Sequence, residues 1–155
     1  MRRAFGLPQV LLIILFIGGI VTITMRYASL GAKHYADSYT REQAELFLQS
    51  ATEAALLHIS GYNRQINNTC IPVISVDSPD GRFHADIDVT KYYLFQGKDN
   101  NGSTWNCNRI VSIDTPESHG MIDMTVVVTS QDPKLNPSLK LGNKVRLERR
   151  SLQRP

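Results

Sequence analysis

Residues 5–25 carry no charged side chain, and Arg2, Arg3 and Arg26 close the run on its two sides. Wound as an α-helix rising about 1.5 Å per residue, this run reaches about 31 Å, the thickness of a bilayer's hydrocarbon core. It is long enough to span a membrane. A secretory signal peptide has a shorter apolar region followed by small residues at a cleavage site, whereas this run passes directly into Arg26 and more helix-compatible sequence. The reading is a retained membrane helix, with a removed signal peptide or a buried core helix as the alternatives.

Positive charge does not orient the span, because Arg2 and Arg3 on one side face Arg26, Lys33 and Arg41 on the other. The two cysteines, Cys70 and Cys107, do so instead. An even count in a chain that otherwise avoids cysteine suits a disulfide outside the reducing cytoplasm, which puts the C-terminal part outside. Beyond the span, the 155 residues leave room for one small globular domain. The net charge of +3 comes from interspersed charges of both signs, without the basic stripe and stacking aromatics that nucleic acid requires, so no nucleic-acid partner is expected. The local exception is Lys140, Lys144, Arg146, Arg149, Arg150 and Arg154. These read as an exposed strand, with an acidic partner or lipid headgroups as the alternative.

Residues 35–60 contain no Pro or Gly and are rich in Ala, Leu, Glu and Gln, which predicts a helix. Its expected apolar face is Leu46, Phe47, Ala51, Ala54, Ala55, Leu56, Leu57 and Ile59, and Asp37, Arg41, Glu42, Glu45, Gln49 and Glu53 mark its wetter part. If the two segments join, one helix runs from about Phe5 to Gly61, roughly 85 Å at the standard rise. Gly18, Gly19 and Gly31 are places where it could bend, and Gly61 is a plausible stop. After it, Phe83, Ala85, Ile87 and Val89 alternate with Arg82, His84, Asp86 and Asp88, the pattern of a strand with one buried face. CIPVISV should pair with it across the turn at residues 78–81. Trp105, Cys107, Val111 and Ile113 share a parity in the next strand, Ile122, Met124, Val126 and Val128 in another, and Val145 and Leu147 in a last one. KYYLF, residues 91–95, is either a strand or a strand-like loop.

A helix and a sheet that each have one apolar face bury each other, so the expected fold class is α+β: one long N-terminal helix, membrane-spanning in its first half, packed on a small antiparallel sheet. A Cys70–Cys107 bridge would close a loop of nearly forty residues and contribute up to about 4 kcal/mol by chain entropy.

No catalytic site is legible. His34, His58, His84 and His119 lie far apart without metal-ligand spacing, and neither a hydrolase elbow nor a glycine-rich phosphate loop is present in the sequence. The expectation is a protein that is not an enzyme and takes no cofactor or metal. Asn101, in DNNGS, heads an Asn-Gly-Ser triplet with Asp99 two residues before it, similar to the extended acceptor of bacterial N-glycosylation systems. It reads first as a tight turn.

The short basic leader, the small residue Ala4, then Phe5 and about twenty apolar residues continuing into a long amphipathic helix together resemble type IV pilin-like proteins, with minor pseudopilins of type II secretion systems as the nearest subgroup. The resemblance covers about the first 60 residues. It implies a leader, residues 1–4, removed by prepilin peptidase between Ala4 and Phe5, with methylation of the new amine on Phe5. Residues 5–25 would be the transmembrane helix, 26–61 its amphipathic continuation into the headgroup, and 62–155 a periplasmic sheet domain. Implied partners are other pilin-like subunits, the peptidase, an inner-membrane assembly platform and membrane lipid, with energy from a separate cytoplasmic ATPase. Some pseudopilin headgroups bind calcium, but Asp77, Asp80, Asp86, Asp88, Asp99 and Asp114 lack EF-hand spacing and read as turn and surface residues.

Two positions depart from the family pattern. Ala4 stands where its leaders usually end in Gly, and Gln9 stands where they carry a glutamate that pairs with the neighbouring subunit's amine. A neutral amide cannot neutralise that amine, and an unpaired charge in hydrocarbon is costly. Gln9 therefore implies a minor, tip-proximal subunit. Pro8 falls where a helix has spare backbone donors. The close variant is a subunit of a DNA-uptake or surface pilus. The alternative from another class is a single-pass, membrane-anchored periplasmic binding module that does not polymerise.

Overall fold

The computed structural model describes residues 6–99, 101–104, 106–131 and 144–155. The chain divides into two compact units, Met1–Tyr39 and Thr40–Pro155, and the helix α1 (Leu7–Gly61) contributes to both. The architecture is α+β, with one long N-terminal helix packed on a small five-stranded sheet. Within the first unit α1 continues unbroken through Gly18, Gly19 and Gly31. The cost of about 1 kcal/mol for each interior glycine is outweighed by cooperative propagation from the helix on both sides. The helix ends at Gly61, as the sequence suggests, and a single further turn, α2 (Arg64–Asn67), follows it.

In the second unit α1 buries Ala44, Leu48, Ala51, Ala55 and Ile59, a line with the three- and four-residue spacing of one helix face. This corrects the expected face. Leu46 and Leu57 are 67 % and 73 % exposed, Phe47 and Leu56 flank the core, and Ala44 and Leu48 join it. The apolar residues of this segment cover a wider arc than one sheet can bury, so those off the contact line stay wet. Three of the five buried residues are alanines.

The sheet is built around one strand. β1 (Val73–Asp77) and β2 (Phe83–Phe95) pair antiparallel across residues 78–81, where Gly81 takes a φ of 67° and donates its N–H to Ser78 O at 2.9 Å. On the other edge of β2 lies β4 (Met121–Ser130), and on β4 lies β5 (Arg146–Gln153), both antiparallel. β2 absorbs KYYLF. Its buried residues are Phe83, Ala85, Ile87 and Val89, then Tyr92 and Leu94, a change of phase at the irregularity between Val89 and Lys91. An extra residue in one strand turns all later side chains to the opposite parity. That is why one strand reads as two in the sequence. β4 keeps the expected parity, with Ile122, Met124, Val126 and Val128 buried.

The strand expected around Trp105 and Cys107 is corrected. Trp105 lies outside the described residues, Cys107 precedes the strand, and β3 is only Ile110–Ile113. It runs parallel to the last four residues of β2, on the edge that β1 occupies further back. A parallel return needs a connection of a dozen or more residues, and residues 96–109 supply it. Gln96 and Gly97, with φ of 52° and 68°, start the return.

The place where β1 gives way to β3 is fastened from several directions. The Cys70–Cys107 disulfide, Cα atoms 5.7 Å apart, joins the segment entering β1 to the segment entering β3. Arg109 Nη1 donates to Asp88 Oδ1 at 2.6 Å and to the carbonyls of Pro72 and Val89, and the Tyr92 hydroxyl donates to Ile71 O at 2.8 Å.

Two outcomes test this packing by chemical unfolding of the full chain in detergent. Ala51→Leu should overpack the interface and cost about 1–3 kcal/mol, while Leu57→Ala should stay within about 0.5 kcal/mol of the parent. Replacing Cys70 and Cys107 together by serine should cost up to about 4 kcal/mol for a loop of this size.

Candidate functional site

In the first unit the apolar side chains of α1 from Val10 to Met25 are exposed all round the helix, from 45 % at Val21 to 72 % at Leu15. A helix that is apolar on every side belongs in a hydrophobic surround, and this one is long and apolar enough to cross a membrane. Its polar atoms fit that setting. Thr22 Oγ1 lies 2.9 Å from Gly18 O and from Gly19 O, and Thr24 Oγ1 donates to Val21 O at 2.9 Å, so these hydroxyls are satisfied within their own helix. Burying them in hydrocarbon then forfeits no hydrogen bond.

Ala4 and Phe5 lie outside the described residues. Gln9 sits in the first turn of α1, exposed, with its backbone N–H donating to Gly6 O at 2.9 Å. Pro8 stands beside it where a helix start has donors without intrahelical partners, so its missing N–H costs nothing.

In the second unit, one face of the sheet packs against α1 and the opposite face carries the charges. There β1 and β2 align Asp77 with His84 and Ser75 with Asp86. His84 Nδ1 lies 2.6 Å from Asp77 Oδ1, and its Nε2 lies 3.2 Å from Asp86 Oδ1. A neutral imidazole has one N–H, so only the imidazolium can donate to both carboxylates. The hydrogen bond to Asp77, helped by the charge of Asp86, accordingly raises the His84 pKa despite desolvation. Gln131 Nε2 also donates to Asp77 Oδ1, and Ser75 Oγ to Asp86 Oδ1. Sequence alternation places these side chains on one face but gives no cross-strand register, so this cluster was not legible.

The nearly buried Asp123 of β4 accepts from Arg150 Nε at 3.0 Å and again from its Nη2. That paired hydrogen bond, followed by the guanidinium charge, holds the Asp123 carboxyl below its ordinary range despite desolvation. At the 78–81 turn, the Ser78 hydroxyl and the Arg82 N–H likewise lower the pKa of Asp80.

Asn101 lies in a turn where Gly102 N–H donates to Asp99 O at 2.8 Å and Asp99 N–H to Ser103 O at 2.9 Å. The asparagine is exposed there. His119 Nδ1 accepts from the backbone of Phe95, in a shallow cleft of about 310 Å³ that Ser60, Asp99 and Arg154 also line. The two nitrogens of His84 face different carboxylates, so His84, Asp77 and Asp86 do not converge on one point. Among the described residues no three His, Cys, Asp or Glu side chains do. The fold brings Cys70 and Cys107 together in the second unit.

No protein-family model, curated protein or solved structure matches this chain.

The shifted groups set a pH dependence. Asp80 and Asp123, depressed in the fold, contribute stability above the ordinary 3.8 that is lost as pH falls through their folded values. His84, raised in the fold, contributes stability that is full below the ordinary 6.5 and is lost as pH rises through its folded value. Thermal unfolding across pH should therefore show His84→Gln less stable than the parent at pH 5, which lies between these limits, and level with it at pH 9. An equal deficit at both values would rule the charged clamp out.

Proposed function

We propose that this chain is a non-catalytic structural subunit of a pilus-like fibre, a minor, tip-proximal pseudopilin of a type II secretion system or a related type IV pilus-like assembly. In this reading it is held in the bacterial inner membrane by residues 5–25 and carries its sheet domain in the periplasm. The observation that carries the reading is α1 itself: apolar all round at its start, and laid by an alanine-rich line on a disulfide-fastened sheet at its end. Such a helix offers one part to a membrane or to neighbouring helices and gives the other to its own domain's core. The disulfide supports an oxidising compartment for the sheet domain. Ala4 and Phe5 would serve processing, residues 5–25 packing, and Gln9 the position in the fibre.

Gln9 also favours a second reading, because an assembly that pairs an acid with a neighbouring amine has no acid here. That reading is a single-span anchor holding a periplasmic domain that recognises an envelope partner without polymerising.

The mass of the mature N-terminus separates the two. A chain beginning at N-methylated Phe5 is the expected result, and an intact Met1 in cells that process other such subunits would overturn the fibre reading. Phe5→Gly should impair maturation and assembly of a fibre subunit and leave an unprocessed anchor unaffected.

A further inference from the structure

Three Asn-x-Ser/Thr triplets occur in the sequence, at residues 67–69, 101–103 and 136–138. A transferase must take the asparagine into its own active site, so such a triplet accepts N-linked oligosaccharide in a surface loop, and not where its middle residue is proline. Pro137 bars the last triplet. The structure separates the other two. Asn67 closes the short helix α2, and its Nδ2 donates to Asn63 O at 3.0 Å. Asn101 lies in the return from β2 to β3, in a turn rather than in helix or strand, and its side-chain amide has no hydrogen-bond partner among the described residues.

The surroundings of Asn101 suit the approach of an enzyme. Asn101, Gly102, Ser103 and Thr104 are all exposed, and a side chain added at Gly102 would meet nothing within 4 Å. The loop nevertheless has a fixed base, because Cys107 is bonded to Cys70 and the Asp99 N–H donates to Ser103 O at 2.9 Å. That hydrogen bond spans the triplet and folds it into a turn, with Asp99 two residues before Asn101 and the Ser103 hydroxyl two residues after it. At the Asn67 triplet, Gln65 stands where the extended acceptor has its acid.

From this contrast we infer that Asn101 is a site of N-linked glycosylation, modified by a membrane oligosaccharyltransferase once the sheet domain has crossed the membrane. Asn101 Nδ2 bonds to C1 of the first sugar, and the C1–O bond to the diphosphate of a polyprenyl-linked oligosaccharide breaks. Polyprenyl diphosphate leaves with the bonding electrons, and one amide proton passes to the transferase. The inference rests on the periplasmic placement of the sheet domain, which the fibre and anchor readings share. In either, a hydrated oligosaccharide at Asn101 keeps this end of the domain facing solvent.

The test expresses the full chain in a bacterium supplied with a single-subunit oligosaccharyltransferase and its lipid-linked oligosaccharide, in cells where a second acceptor protein is shown to be modified. Cleavage after Lys and Arg gives peptide 65–82, which carries Asn67 and Cys70, and peptide 99–109, which carries Asn101 and Cys107. Both are weighed by mass spectrometry before and after reduction. Peptide 99–109 should be heavier by one whole oligosaccharide and peptide 65–82 bare. Asn101→Gln should abolish the increment, Asp99→Ala should lose most of it, and Asp99→Glu should restore it. A bare peptide 99–109 in a chain whose two peptides are joined before reduction would overturn the acceptor and leave the periplasmic placement standing. A bare peptide with both cysteines found as free thiols would overturn the placement and the acceptor with it. An oligosaccharide on Asn67 in place of Asn101 would also overturn the assignment.

Discussion

The second unit depends on one packing contact, the line of Ala44, Leu48, Ala51, Ala55 and Ile59 against the buried face of β2 and β4. Each partner is poor alone. A helix with three alanines on its contact line brings little apolar area, and a sheet with one apolar face cannot leave that face in water. Ile87, Val89, Met124 and Val126 on that face are almost wholly buried, in one core cluster with the helix line. The stacked rings of Phe47 and Phe83, centroids 6.1 Å apart, and the Arg82–Gln43 hydrogen bond fasten the margin of this contact.

The contact also explains the covalent staple. β2 has partners on both edges, and on one of those edges it must accept two short strands in succession, β1 antiparallel and β3 parallel. Four or five residues of pairing hold such pieces weakly. The disulfide, Arg109 and the Tyr92 hydroxyl all act at the gap between them, where the phase of β2 also changes. This cluster closes a break in the sheet edge, and the residues that make it come from three separated parts of the chain.

Outward from the core, charge is arranged by strand register. His84 between Asp77 and Asp86 ties the start of β2 to the end of β1, and Asp123 with Arg150 ties β4 to β5. The His84 clamp and the nearly buried Asp123 act in opposite pH directions, since one depends on a proton being held and the other on its loss.

The sequence by itself determined what depends on local periodicity. The uncharged run of residues 5–25, the helix ending at Gly61, the buried parity of Phe83 to Val89 and of Ile122 to Val128, and the pairing of the only two cysteines follow from spacing along a few turns or strand residues. The tertiary structure decided what depends on a distant neighbour. Leu57 was assigned to the core and stands in water because apolar content says how wide a face is, while the sheet alone says which line of it is covered. KYYLF belongs to β2, and the strand near Cys107 is short and parallel, because a one-residue irregularity and a long return loop change phase and direction without changing composition. The His84 cluster required the register between two strands, which no single strand contains.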